Sequence, residues 1–85
     1  MIERNKLVDT YTTDIFCENL AFIDNLGVNR RLVFVNRDFT YPDSHIVVAK
    51  LIIPADFMVT LAYMAAGVDR SVSTQLLALD TRVAN

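Results

Sequence analysis

Asp43, Ser44 and His45 are the residues that most resemble a catalytic group, because they place an acid, a hydroxyl and the only imidazole in successive positions. A hydrolytic triad needs these groups in hydrogen-bond contact with one another. Here they begin a segment of strand composition, and adjacent residues of a strand point to opposite faces of a sheet. Ser44 and His45 are therefore poorly placed to share a proton, and we interpret His45 as a polar residue at a strand edge.

Cys17 is the second candidate for reactivity, and it is the only cysteine. Its neighbours Asp14 and Glu18 are acidic, whereas reactive thiols lie beside basic groups, so we expect a reduced, buried and unreactive thiol. One histidine and one cysteine do not make a zinc site, and the sequence has no glycine-rich loop for a phosphate. We therefore expect no enzymatic activity, no metal and no cofactor.

Basic residues form the third candidate group, which lies on two successive predicted strands around Phe34: Arg30, Arg31, Arg37 and Lys50. Basic side chains interleaved with an aromatic ring on a sheet are typical of proteins that hold single-stranded RNA. The alternative is that the arginines pair with acidic residues across the sheet, such as Glu18, Asp24 or Asp38. The formal net charge of −2 favours this alternative, since it provides no general attraction for nucleic acid.

The elements that must position these residues are organised around the stretch from Ser44 to Gly67. Residues 46–53 are nearly all apolar and rich in β-branched side chains, which predicts a strand covered on both faces. Pro54 fits the first position of a helix, and Gly67 fits the left-handed residue that ends one. The apolar spacing between them predicts one helical face, composed of Phe57, Leu61, Met64, Ala65 and Val68.

Two further strands are predicted before this stretch. Residues 11–17 have strand composition, and residues 20–26 resume the pattern after a one-residue shift, which indicates a β-bulge, a kink or two short strands. A turn at Gly27 leads into a strand over residues 30–39. The predicted fold class is therefore α+β, a three-stranded antiparallel meander followed by one apolar helix, with a second C-terminal helix as an open alternative.

The predicted domain organisation has three parts. Residues 1–10 are expected to be a flexible N-terminal arm, residues 11–70 the β-β-β-α core, and residues 71–85 an amphipathic helix or a tail. The residues expected in the core are Leu32, Phe34, Ile46, Val48, Ile52, Phe57 and Leu61. The other face of the sheet must meet either the C-terminal helix or a second copy of the chain. The candidate interface residues are Val33, Val35, Val72, Leu76, Leu79 and Val83.

The step from Lys50 to Pro54, KLIIP, followed by one helix, resembles a junction in small bacterial β-β-β-α proteins of unknown function. The resemblance extends from Asp14 to Gly67. It implies a bacterial and cytoplasmic setting, and it implies no activity and no site residue.

Composition favours a self-associating protein. The chain has 85 residues, of which 53% are apolar, whereas a domain of this size buries only ~60–65% of its unfolded surface. No apolar run approaches the ~20 residues that cross a bilayer, so we expect no membrane partner. We expect a small non-enzymatic interaction or regulatory protein that acts as a homodimer, with another protein as a further partner. Two alternatives stay open: a nucleic-acid-binding regulator using the basic strand surface, and a small oligomeric enzyme or ligand-binding protein with a site at the subunit interface.

Overall fold

A computed structural model describes residues 2–68 and 76–80. A single 3₁₀ turn, Arg4–Lys6, precedes three strands and a helix: β1 is Asn19–Asn25, β2 is Asn29–Arg37, β3 is His45–Pro54 and α1 is Phe57–Ala66. Residues 76–80 are also helical. The strands form one antiparallel sheet in the order β1-β2-β3, which confirms the predicted α+β fold class.

The turn between β1 and β2 depends on Gly27, whose φ of 84° lies in the left-handed region that glycine adopts most easily. The backbone N–H of Gly27 donates to Oδ1 of Asn25 at 2.9 Å. The N–H of Leu26 donates to the carbonyl of Asn29, also at 2.9 Å. These bonds close the hairpin at the position predicted from the sequence.

Residues 11–17 form no strand, so that part of the strand prediction is wrong. Tyr11 has a φ of 63°, and the N–H of Thr12 donates to Oδ1 of Asp9 at 2.9 Å, so a local turn replaces extended backbone at the start of the segment. The predicted irregularity is real but lies later in the chain, since the register between β1 and β2 shifts between Leu20 and Phe22. A residue is left over there, as in a β-bulge.

The hydrophobic core lies between the sheet and the helices. Ile23 and Leu32 are paired in register on β1 and β2, and they are buried together with Met58 of α1. The residues packed against this cluster are Leu20, Phe34, Ile53, Leu61 and Leu79. We call this side of the sheet the helix face, and the opposite side, with Phe22, Val33, Val47 and Ile52, the outer face.

The predicted core is therefore right for β2 and wrong for most of the following chain. Leu32, Phe34 and Leu61 lie where they were expected, and Val48 is half-buried. Three other predicted core residues are more than one-third exposed: Ile46, Ile52 and Phe57. In β3 it is Ile53 and not Ile52 that faces the core, because the register sets Ile53 opposite Arg30, on the face of Leu32, and Ile52 opposite Arg31, on the other face.

Helix α1 begins later than predicted, because Pro54 is the last residue of β3 and not the first of the helix. The N–H of Ala55 donates to the carbonyl of Val28 at 2.8 Å, which continues the sheet pairing past the proline. The later start means that Met58 and Ala62 are the buried helix residues. Gly67 ends the helix with a φ of −65°, so the predicted left-handed conformation is also wrong.

The helical residues 76–80 pack on the helix face, where Leu79 joins the core. These residues do not cover the outer face, so they do not provide the cover that the sequence predicted from either a C-terminal helix or a second copy. The predicted helix start at Ser71 and the predicted interface residues Val72 and Val83 lie outside the described residues.

Candidate interaction surface

The four basic residues predicted as a nucleic-acid surface are divided between the two faces of the sheet. Arg30 pairs in register with Ile53 on the helix face, whereas Arg31 pairs with Ile52 on the outer face. A continuous basic strip would need these side chains on one face. The structure therefore does not bring the four residues together.

Arg30 connects the hairpin turn to the C-terminal helical residues. Its Nε donates to Oδ1 of Asp80 at 3.0 Å, and the side chains are 18% and 23% exposed. Its Nη1 donates to Oδ1 of Asn25 at 3.0 Å and to the carbonyls of Gly27 at 2.8 Å and Asn29 at 3.0 Å. Arg30 is therefore a structural residue whose donors are used within the chain.

The other two arginines also pair with acids, as the sequence alternative expected. Arg31 Nη1 lies 3.2 Å from Asp24 Oδ2 across the β1–β2 pair. Arg37 Nε lies 3.4 Å from Glu18 Oε2, and its guanidinium lies 5.6 Å from the centre of the Phe39 ring. Half-exposed ion pairs such as that of Arg31 stabilise a fold only slightly.

Lys50 differs from the three arginines of this group, because no ion pair within residues 2–68 and 76–80 includes it. It is exposed on the outer face, in the edge strand β3, beside Val33 in the register.

The residues that could do covalent or metal chemistry stay separate. His45 is exposed at the start of β3, and Ser44 uses its backbone N–H to donate to the carbonyl of Tyr41 at 2.8 Å. Cys17 is half-buried, less so than expected, with Sγ 3.8 Å from the carbonyl oxygen of Ile15. In the described part of the chain, histidine, cysteine and acidic residues form no group of three that could hold a metal ion.

The predicted interface is only partly accessible. Val33 and Val35 are 2% and 7% exposed, so they offer little surface to a partner. Leu76 and Leu79 are half-buried, and Leu79 packs against the core of its own chain. They line, with Leu61 and Ala65, a cleft of about 450 Å³ between the helices and the sheet.

Strand β3 presents accessible apolar side chains on both of its faces. Ile46 and Leu51, whose register partners share the face of Leu32, are 52% and 51% exposed. Val47 and Ile52 on the outer face are 49% and 61% exposed. The prediction that this strand is covered on both faces is therefore wrong for the single chain, because β3 lies at an edge of the sheet and not at its centre.

The free edge of β3 also presents backbone hydrogen-bonding groups. Antiparallel pairs alternate between residues that exchange hydrogen bonds and residues whose N–H and C=O groups point away from each other. Ala55 is hydrogen-bonded to Val28, and the hydrogen-bonded positions recur at every second residue. The backbone N–H and C=O groups of Ile53 and Leu51 therefore point toward β2, and those of Ile52 and Lys50 point outward. Pro54 also lies at an outward position, where its missing N–H does not interrupt the sheet.

At the other end of β3 the odd-numbered residues point outward instead of the even-numbered ones. The N–H of Asp38 donates to the carbonyl of Ser44 at 3.1 Å. The backbone groups of Ile46 therefore point toward β2, and those of His45 and Val47 point outward. The two ends of β3 differ because the register passes from Val47 directly to Ala49 and skips Val48. Val48 is therefore a β-bulge, which separates the outward residues His45 and Val47 from the outward residues Lys50 and Ile52.

The free edge of β1 is better protected against pairing with another strand. It has seven residues, among them the polar Asn19, Asp24 and Asn25, and a bulge near its start. Strand β3 has ten residues, and Lys50 is the only Lys, Arg, Asp or Glu among them. Short, polar and bulged edges resist association, whereas long apolar edges promote it.

The sequence of β3 does not distinguish an exposed edge strand from a covered one. Residues 46–53 do not alternate between apolar and polar side chains, which is typical of a strand covered on both faces. The described residues do not cover β3 on both faces. An apolar run without alternation therefore occurs here in an edge strand.

Comparison of the chain with protein-family models finds no match, and neither the curated proteins nor the solved structures include a significant match. Among the described residues, no helix is long and apolar enough to cross a membrane.

Proposed function

We propose that this chain is a small non-enzymatic interaction protein that works as a homodimer, and that the β3 edges of two copies pair to form the dimer. The observation that carries the proposal is the exposure of apolar side chains on both faces of one edge strand, next to backbone groups that pair with no other strand of the described residues. A strand added alongside β3 would contact both sets of side chains. A partner packed on the outer face alone would leave Ile46 and Leu51 in water.

A second copy of the chain is the partner that fits this edge. A two-fold dimer uses the same patch on both subunits, so the patch must be self-complementary. An edge strand meets this requirement, because its outward N–H and C=O groups can pair with those of an identical strand. Among the ten residues of β3, Lys50 is the only Lys, Arg, Asp or Glu, so two such strands can approach with little charge repulsion.

The size of the edge is sufficient for a modest interface. Ten residues at ~3.3 Å each extend for about 33 Å. A contact along one strand edge of this length is smaller than the ~1,600 Å² of a standard protein–protein interface. We therefore expect a dimer that dissociates on dilution.

The non-enzymatic part of the proposal is supported by how the polar residues are used. The three arginines of the sheet are held in ion pairs. His45 and Cys17 lie on separate segments, and the described residues contain no metal-binding cluster.

The proposal is tested by sedimentation velocity on the full chain and on two lysine variants. Ile52→Lys introduces a charge at the edge, and Val59→Lys introduces the same charge at a similarly exposed position of α1. The wild-type chain should sediment at twice its mass of 9.6 kDa. Ile52→Lys should raise the dissociation constant by roughly tenfold or more, equivalent to ~1.4 kcal/mol.

The control variant Val59→Lys should leave the dissociation constant unchanged. Circular dichroism should show that both variants keep the wild-type fold. A wild-type chain that stays monomeric at micromolar concentration would contradict the proposal, and so would equal association of the two variants.

A further inference from the structure

We infer that the two β3 strands pair antiparallel about a two-fold axis between Val48 and Ala49, so that Lys50 lies opposite Val47 of the partner subunit. This inference rests on the proposed dimer and specifies the register of its two strands. It follows from the directions of the backbone groups, from the bulge at Val48 and from the charge of Lys50.

The outward positions of β3 are the first requirement. They are His45 and Val47 before the bulge, and Lys50 and Ile52 after it, as fixed by the hydrogen bonds at the two ends of the strand. Two antiparallel edge strands bond to each other only where an outward residue of one faces an outward residue of the other.

The bulge at Val48 determines which halves of the strands can meet. Because the bulge shifts the outward positions by one residue, the outward residues before the bulge in one strand can face those after the bulge in the other. When Lys50 faces the partner's Val47, Ile52 faces the partner's His45, and the two-fold axis repeats both pairs. The two bulges then lie side by side at the centre of the interface.

The rival registers each lose bonds or oppose charges. When Ile52 faces the partner's Val47, Pro54 faces the partner's His45 without an N–H to donate, and Lys50 faces the inward-directed backbone of the partner's Ala49. A register centred on Lys50 places two ammonium groups directly opposite each other, which is unfavourable. Registers that use only residues 50–54 leave His45 and Val47 unpaired.

The inferred register also fixes the shape of the dimer. Directly paired residues of neighbouring strands point to the same side of a sheet, and Val47 and Lys50 both belong to the outer face. The outer faces of the two copies therefore lie on one side of a six-stranded sheet, and the two α1 helices lie on the other.

Cysteine cross-linking tests the register. In a Cys17→Ser background, Val47→Cys chains are co-expressed with Lys50→Cys chains and oxidised mildly. Directly paired Cα atoms are about 5.5 Å apart in a hydrogen-bonded pair, which is within the range of a disulfide. A cross-linked dimer should form on a non-reducing gel from this mixture, and much less should form from either variant alone.

Val47→Cys co-expressed with Ile52→Cys is the matched control, because it reports the rival register. A stronger cross-link in this control, or no cross-link in any mixture while light scattering shows a dimer, would overturn the register and leave the dimer in place. A chain that is monomeric by light scattering would overturn the register and the proposed function together.

Discussion

Arg30 and Asp80 are joined by a hydrogen bond of 3.0 Å between Nε and Oδ1, although fifty positions separate them in the chain. The bond fastens the C-terminal helical residues to the first hairpin, on the same side as α1. The acceptors around Arg30 come from the β1–β2 turn and from Asp80, so one side chain stabilises two parts of the fold.

Loss of this side chain should be measurably destabilising. Hydrogen bonds of charged groups contribute ~1.5–3 kcal/mol when they are partly buried, so Arg30→Ala should lower the free energy of unfolding by about 2 kcal/mol in urea denaturation. A double-mutant cycle with Asp80→Ala should give a coupling of at least ~0.5 kcal/mol. The matched control is Arg31→Ala, whose half-exposed pair with Asp24 should contribute no more than ~1 kcal/mol. Equal losses for the two arginines would contradict the structural role of Arg30.

The core residue of α1 can be identified by truncation. Met58 is 1% exposed, and Met58→Ala should reduce the free energy of unfolding by ~2–5 kcal/mol, since it removes buried atoms and leaves a cavity. Met64→Ala, on the exposed side of the same helix, makes the same chemical change and should have an effect below ~1 kcal/mol. Thermal or urea unfolding measures the two losses. A larger loss for Met64→Ala would show that the opposite side of α1 faces the core.

The two glycines should respond to alanine with opposite signs. Gly27 has a positive φ and open space around its Cβ position, so Gly27→Ala should destabilise by ~1–2 kcal/mol through backbone conformation alone. Gly67 has an ordinary helical φ, and an added Cβ would lie at normal contact distance, 3.4 Å from the carbonyl of Met64. Gly67→Ala should therefore stabilise by ~0.4–1 kcal/mol. Urea denaturation of both variants checks the signs, and a stabilised Gly27→Ala chain would contradict the turn geometry.

The Asp9 carboxylate should titrate below its ordinary value of 3.8, because the N–H and the hydroxyl of Thr12 bond to its charged form and lower its pKa. Because the pKa is lower in the folded chain, the contribution of this bond to stability is fully present above the unfolded-state pKa. This contribution is lost as the pH falls through the lower folded-state pKa. Carboxyl chemical shifts followed by NMR should show this low midpoint in the folded chain and the ordinary midpoint in urea. A folded midpoint at or above 3.8 would contradict the turn.

The sequence predicted β2 well and β3 only in its extent. In β2 the regular alternation identified Leu32 and Phe34 as core residues, and both pack there. In β3 both sets of alternate residues are mostly apolar, and Lys50 alone marks the set that contains Ile52 as the outward one. The choice of Ile52 over Ile53 gave this single charge too little weight, and the bulge at Val48 has no mark in a run of apolar residues.

Arg30 shows a second limit of reasoning from local sequence. It was proposed as an external contact from its charge and its position near Phe34, whereas its bonds in the structure go to Asp80 and to turn carbonyls that folding brings to it. Local spacing cannot reveal partners that are distant in the chain. The pairing of Arg31 with Asp24 was easier to foresee, because the two strands are joined by a short hairpin.

Asn36 of β2 determines where β1 begins. Its Oδ1 accepts the N–H of Glu18 at 2.7 Å, and its Nδ2 donates to the carbonyl of Phe16 at 3.1 Å. One carboxamide thus supplies the donor and the acceptor that a peptide group of a longer neighbouring strand would have supplied. The chain before Glu18 is thus held beside β2 by a side chain although it forms no strand, so a carboxamide of one strand secures the start of the neighbouring one.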